Sequence, residues 1–240
     1  MRSLHVLLVS LMLFSTSFAA TATMTEQFDA AAKRGQHTYV MFYRADDVAT
    51  QQMASTIRSH VAGTGEKTTW VAVNVSDPKE AQLVKRFDAS RIPLPAVFGI
   101  APNGAVAGVF QQRVSPAQLN GAILTPMYSD MVKALQSQKI ALVSMMPAAN
   151  TPLPPGVAAL MQDPNFKSIV HPVKAYATDT NEANFFARMN VDRKLQAPVV
   201  MVFTPPGTHI GTFAGNVSGQ QLAQKLHQSG KCNCSKCQKR

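Results

Sequence analysis

The sequence predicts an α/β protein in which one mixed-sheet unit is built twice in tandem. Apolar, β-branched runs alternate with capped amphipathic segments, a pattern that implies parallel β-α-β pairing. The segment Pro95-Ala-Val-Phe-Gly-Ile-Ala-Pro-Asn-Gly104 returns with the same spacing as Pro198-Val-Val-Met-Val-Phe-Thr-Pro-Pro-Gly207. At a shift of 103 residues the identity continues through Gly108/Gly211, Phe110/Phe213, Val114/Val217, Ser115/Ser218, Gln118/Gln221 and Leu119/Leu222. The positions that recur are those needing a turn, a cap or a core residue, which marks an internal duplication.

The elements follow in order. Thr25 to Gly35 reads as a helix with Thr25 as N-cap, Phe28, Ala31 and Ala32 on one face, and Gly35 as C-cap. Thr38 to Tyr43 is apolar throughout and so a central strand. A second helix is expected from Asp47 to Val61, with Val48, Met53 and Ile57 available for burial, and Thr68 to Val75 is the next strand. Asp77-Pro-Lys-Glu80 has the spacing of a capping box and opens a helix whose apolar face is Leu83, Val84 and Phe87. Ala96 to Ile100 and Ala105 to Phe110 form a hairpin turned at Pro102-Asn-Gly104, and Ser115 to Gln118 caps a helix through Leu119 and Ile123.

Residues 126–138 read as a helical connector with Met131, Val132 and Leu135 inward. The pattern then restarts. Ile140 to Met146 is a strand, Pro147 to Gly156 a proline-rich loop, Val157 to Met161 a short helix and Val173 to Ala177 a strand. Asp179-Thr-Asn-Glu182 repeats the earlier box, and Phe185, Phe186 and Met189 repeat the apolar face behind it. Each unit is expected to hold a four- or five-stranded mixed sheet with helices on both faces. The predicted division is 1–22 signal peptide, 23–125 first unit, 126–138 connector, 139–228 second unit and 229–240 tail.

Bulk properties narrow the function classes. A hydrophobic fraction of 46% with 15% charged residues supports packed cores and excludes wholesale disorder. The formal charge is +10, yet the basic residues are scattered and cluster only at Lys231, Lys236, Lys239 and Arg240. That distribution reads as a solvated surface, without a nucleic-acid face. Arg2, the apolar run Val6 to Phe14 and small residues ending at Ala19 or Ala22 form an export signal. The run is too short for the ~20 residues of a membrane span. The expectation is a periplasmic or secreted protein that is not integral to a membrane.

The β-α-β-α-β-β-α order, with a proline at the head of the hairpin strand and a Pro-x-Gly turn beyond it, resembles the thioredoxin family, in two copies. The resemblance implies that Pro95 and Pro198 are the family's cis prolines. It further implies that the backbone before them, at Leu94 and Ala197, can pair with an extended peptide. The family's Cys-x-x-Cys belongs at the start of the helix after the first core strand, where the helix terminus lowers the thiol pKa. Asp47-Val-Ala-Thr50 stands there in the first copy, and the proline-rich loop around Pro147 to Pro152 in the second. Neither holds a sulfur nucleophile, so both copies are expected to be redox-inactive at this position. Asp46 and Asp47 read as a helix start rather than a catalytic pair.

The three cysteines, Cys232, Cys234 and Cys237, all lie in the tail. Cys-x-Cys-x-x-Cys can wrap Zn or Cu(I), with His227 as a fourth ligand, or form a Cys234–Cys237 disulfide with Cys232 left for exchange. A functionally minor tail is the third reading. Three function classes result: a non-catalytic module that binds peptides or proteins, a thiol–disulfide oxidoreductase working through the tail, and a metal carrier.

Overall fold

The computed structural model describes residues 22–230. The signal segment, Ala22 apart, and the tail cysteines lie outside the described residues. The first half runs α1 (Met24–Lys33), β1 (His37–Tyr43), α2 (Val48–Thr64), β2 (Thr68–Asn74), α3 (Ala81–Arg86), β3 (Ala96–Ile100), β4 (Val106–Gln111) and α4 (Pro116–Gly121). The second runs α5 (Pro126–Gln136), β5 (Ile140–Met146), α6 (Pro155–Gln162), β6 (Val170–Tyr176), α7 (Ala183–Arg188), β7 (Val199–Thr204), β8 (Thr208–Ala214) and α8 (Gly219–Gln228).

Each half carries one four-stranded sheet, in the orders β2-β1-β3-β4 and β6-β5-β7-β8. The β1/β2 and β5/β6 pairs are parallel, and the remaining pairs antiparallel. This is the thioredoxin-like architecture, present twice in tandem. The central strands explain the apolar runs. Val40 and Phe42 of β1 face α1 and α3, where Phe28, Leu83 and Val84 are buried, while Tyr39 and Met41 face α2 and α4, with Met53, Ile57 and Leu119. In the second half Val143 and Met145 meet Met131, Leu135, Phe185 and Phe186 of α5 and α7, and Leu142 meets Val157, Leu160, Leu222 and Leu226 of α6 and α8. Strands buried on both faces cannot alternate apolar with polar.

Several local expectations are corrected. The N-cap of α1 is Thr23 rather than Thr25: Thr23 and Glu26 satisfy each other's backbone N–H groups in a capping box. Arg34 is the C-cap and Gly35 lies one residue beyond it, at φ 73°. Ile123 lies past the end of α4, and Val132 is half-buried, its place in the core taken by Ala134. The strand β6 begins at Val170, before the expected Val173.

Glu80 and Glu182 are the larger correction, because neither closes a box with the aspartate before it. Asp77 and Asp179 each cap a short 3-10 turn through the N–H two residues on, and the glutamate turns inward. Glu80 Oε1 accepts the N–H of Met24, 2.9 Å away in the first turn of α1. Glu182 Oε1 accepts the N–H of Met127, 2.9 Å away in the first turn of α5. Both carboxylates are buried. An orphan N–H at the positive end of a helix is a natural partner for a carboxylate excluded from water.

The stretch expected as a connector, α5, therefore occupies in the second half the place that α1 has in the first. Both helices end in the same hydrogen-bonded C-cap, Gly35 and Gln36 donating to Ala32 and Ala31 as Gln138 and Lys139 donate to Leu135 and Ala134. α5 also grips the first half. The Gln136 side-chain amide pairs with both the N–H and the C=O of Val106 on β4, at 3.0 and 2.8 Å. Lys133 Nζ donates to the Gly104 carbonyl.

The segment between α4 and α5 is held by His37 at the start of β1. Leu124 N–H donates to His37 Nε2 at 3.2 Å, which only an unprotonated ring nitrogen can accept. Burial lowers the His37 pKa, and that of His60 on α2 as well.

Two predictions follow from these contacts. Glu80→Ala and Glu182→Ala should each lower the unfolding free energy by ~1.5–3 kcal/mol in urea titrations, more than the ~1 kcal/mol expected of the exposed cap change Ser115→Ala. A histidine held neutral contributes stability that is complete above its unfolded-state pKa of ~6.5 and is lost as pH falls through the lower folded value. The melting midpoint should accordingly drop between about pH 7.5 and pH 5, and His37→Gln should flatten part of that drop, leaving the share owed to His60.

Candidate functional site

The first half presents an open face where β1 ends and α2 begins. Asp47 is the N-cap of α2, its Oδ1 accepting the Thr50 N–H at 2.9 Å. That bond holds the Asp47 carboxyl below the usual carboxylate range. Asp47 is exposed and Thr50 is buried, so the pair fills the first and fourth positions of the expected dithiol site with a hydrogen-bonded cap. Its chemistry is acceptance of a proton-bearing group by a fixed anion. It supplies no sulfur nucleophile.

Opposite this cap lies the segment leading into β3. Arg44, Ala45, Asp47 and Thr50 on one side and Ile92, Pro93, Leu94 and Pro95 on the other line a cavity of 340 Å³. The Leu94–Pro95 peptide bond is cis, while Ala197–Pro198 in the second half is trans. The implied cis geometry thus holds at Pro95 and fails at Pro198, the small energy gap of an X–Pro bond leaving the isomer to local context. Pro95 is buried and Leu94 half-buried. The backbone N–H and C=O of Leu94 meet no partner among the described residues. Val48, beside the cap, is 70% exposed.

Thr50 also lines a second cavity, of 480 Å³, running along α2 over the edge strand β2. Tyr43 and Trp70 form its wall, Thr50, Gln51 and Ala54 its helical side, and Asp46 and Arg58 its charged residues. The Arg58 guanidinium sits over the Trp70 ring, 5.6 Å from the centroid. Sequence reasoning missed this groove. Its only legible signal was a tryptophan on a strand that the topology leaves at the sheet edge.

The corresponding face of the second half is arranged differently. The proline-rich loop leads into α6, whose N-cap position is Pro154, with no capping side chain. Gly156 N–H donates to the Val217 carbonyl at 2.9 Å, and a Cβ at Gly156 would come within 2.5 Å of that oxygen. The start of α6 is thus packed against the chain entering α8, at a spacing only glycine permits. Ala197 is exposed and Pro198 half-buried, and the Ala197 backbone, like that of Leu94, has no hydrogen-bond partner among the described residues. The four expected peptide-facing residues therefore occupy two separate faces of unequal form.

His227 lies in the last turn of α8, its ring edge-on to Phe166 at 5.7 Å. The cysteines proposed as its co-ligands, Cys232, Cys234 and Cys237, are outside the described residues. Among the described residues no helix is long and apolar enough to cross a membrane.

No protein-family model and no curated protein matches the chain. Solved structures similar to it include the first two thioredoxin domains of Saccharomyces cerevisiae Eps1p, at 13% identity and TM-score 0.34 over 88% of this chain and 98% of that one. The zinc-bound form of human ERp44 aligns at 10% identity and TM-score 0.39, over 88% of this chain and 60% of that one. The NTD_N/C domain of the alkylhydroperoxide reductase AhpF from Enterococcus faecalis aligns at 16% identity and TM-score 0.30, over 83% and 96%.

If the α2 cap has replaced a dithiol without disturbing its frame, sulfur placed there should become reactive. The pair Asp47→Cys with Thr50→Cys, in a background of Cys232→Ser, Cys234→Ser and Cys237→Ser, should reduce insulin in the presence of dithiothreitol at least tenfold faster than that background alone. An unchanged rate would show that the frame itself has been lost.

Proposed function

We propose that this chain is an exported, non-catalytic tandem thioredoxin-like protein that binds an extended segment of a peptide or protein partner on the face of its first half. The observation that carries the reading is the unpaired main chain of Leu94 at the rim of the Asp47–Thr50 cavity. A backbone N–H and C=O left open beside a cavity can accept one rung of a peptide's main chain, as an added strand does. Apolar surface at Ile92 and Leu94 lines the cavity, and the exposed Val48 follows the Asp47 cap, offering burial to the peptide's side chains.

The non-catalytic part of the proposal rests on Asp47 and Thr50, which stand where a thiol pair would act. Export rests on the amino-terminal pattern of Arg2 and the apolar run that follows. The oxidoreductase and metal-carrier readings, both centred on the tail, are tested in the same work.

The decisive measurement is a peptide-library selection against the mature protein, followed by amide chemical-shift mapping with a selected peptide. The Leu94 amide should show one of the largest shifts, and Leu94→Glu with Ile92→Glu should weaken binding at least tenfold while far-UV circular dichroism is unchanged. Insulin reduction that disappears with Cys234→Ser and Cys237→Ser would replace this reading with the oxidoreductase. One Zn or Cu(I) ion retained in native mass spectra, and lost with those serines, would favour the carrier.

A further inference from the structure

We infer that the partner segment carries a basic residue, an apolar residue and an acidic residue at alternate positions, read by the groove along α2. The inference rests on the peptide-binding reading of the same face and specifies what that face selects.

The two cavities share Thr50, and the inference takes a segment leaving Leu94 across the α2 cap into the groove walled by Tyr43 and Trp70. The charges of that groove are separated along its length. Asp46 stands at its entrance beside the Asp47 cap, and Arg58 lies ten residues beyond Val48 along the helix. At a rise of 1.5 Å per residue about 15 Å of helix separates Val48, just past the Asp46–Asp47 end, from Arg58. Neither Asp46 nor Arg58 forms an ion pair with another described residue, and both are exposed. The Arg58 guanidinium instead sits over the Trp70 ring and, being exposed, keeps donors available to a carboxylate.

An extended chain advances about 3.3 Å per residue and turns every second side chain to the same face. Residues i, i+2 and i+4 then span about 13 Å on one face, close to the length of helix along the groove. The charge order follows from the charges already present. A lysine or arginine at i meets Asp46, an aliphatic or aromatic side chain at i+2 lies on Tyr43 and Trp70, and a glutamate or aspartate at i+4 meets Arg58. The wall supplies burial, and the two exposed charge pairs supply direction and selectivity more than affinity.

Trp70 is the sole tryptophan of the chain, so its fluorescence reports occupancy of this groove directly. The mature protein is titrated with three capped nine-residue peptides whose central five residues are Lys-Ser-Leu-Ser-Glu, Glu-Ser-Leu-Ser-Lys and Gln-Ser-Leu-Ser-Gln. Lys-Ser-Leu-Ser-Glu should bind about fivefold more tightly than Glu-Ser-Leu-Ser-Lys at low salt, with the neutral peptide between them and the gap closing at high salt, and the reverse preference would overturn the inference. In the double variant Asp46→Lys with Arg58→Glu, the preference between the two charged orders should invert. If the neutral peptide and both charged orders bind alike, or the double variant keeps the original preference, the inference is overturned while peptide binding stands. If no peptide perturbs Trp70 and none shifts the Leu94 amide, the proposed function falls and this inference with it.

Discussion

Two buried carboxylates set the architecture of this chain. Glu80 and Glu182 each reach from the turn before a short helix into the first turn of a helix more than fifty residues earlier. Each thereby fixes α1 beside α3, or α5 beside α7, on one face of its sheet. A charged acceptor bound to a backbone donor is among the stronger hydrogen bonds a fold can make, and a buried donor left without it costs about as much again. Because Glu182 makes this bond to α5, the helix between the units is committed to the second core. The true link shrinks to the few residues 122–125, tied to β1 through His37 and Leu124. The same α5 lays Gln136 and Lys133 on the first half, so it is at once a core helix and a clamp.

Duplication has kept the frame and varied the faces. Both halves hold a proline at the head of the hairpin strand, an unpaired backbone residue before it and a helix start across from it. In the first half that helix start is capped by its own Asp47 and stands open beside a cavity. In the second its leading N–H is spent on the Val217 carbonyl, at a contact no side chain larger than glycine fits. The two faces are equivalent in sequence spacing and unequal in what they leave free.

How much of this was legible depends on the range of the interaction concerned. The tandem α/β fold, the succession of elements along the chain and the Ser115 and Ser218 caps depend on periodicity and on neighbours three or four residues apart, and the sequence displays these directly. Asp47 and Thr50 were readable for the same reason. Glu80 and Glu182 were misread because their spacing to Asp77 and Asp179 fits a local cap, whereas their partners lie on helices remote in sequence. The groove at Trp70 and Arg58 was invisible for a related reason. It exists only because β2 is an edge strand and α2 leaves part of that edge uncovered, which is a property of the assembled sheet.

A helix start without sulfur is physically compatible with the binding face proposed beside it. A dithiol at a helix start performs two tasks, chemistry and helix termination, and only the first requires sulfur. An aspartate in the first position takes over the second task more effectively, since its carboxylate accepts a backbone N–H and sits at the positive end of the helix. The proposed recognition of an extended segment draws on the main chain at Leu94, which no replacement on the facing helix removes. Asp47 and Thr50 in this place therefore supply no sulfur nucleophile, secure α2 and leave the Leu94 main chain without a partner among the described residues. In the neighbouring groove the proposed selection would rest on side chains alone.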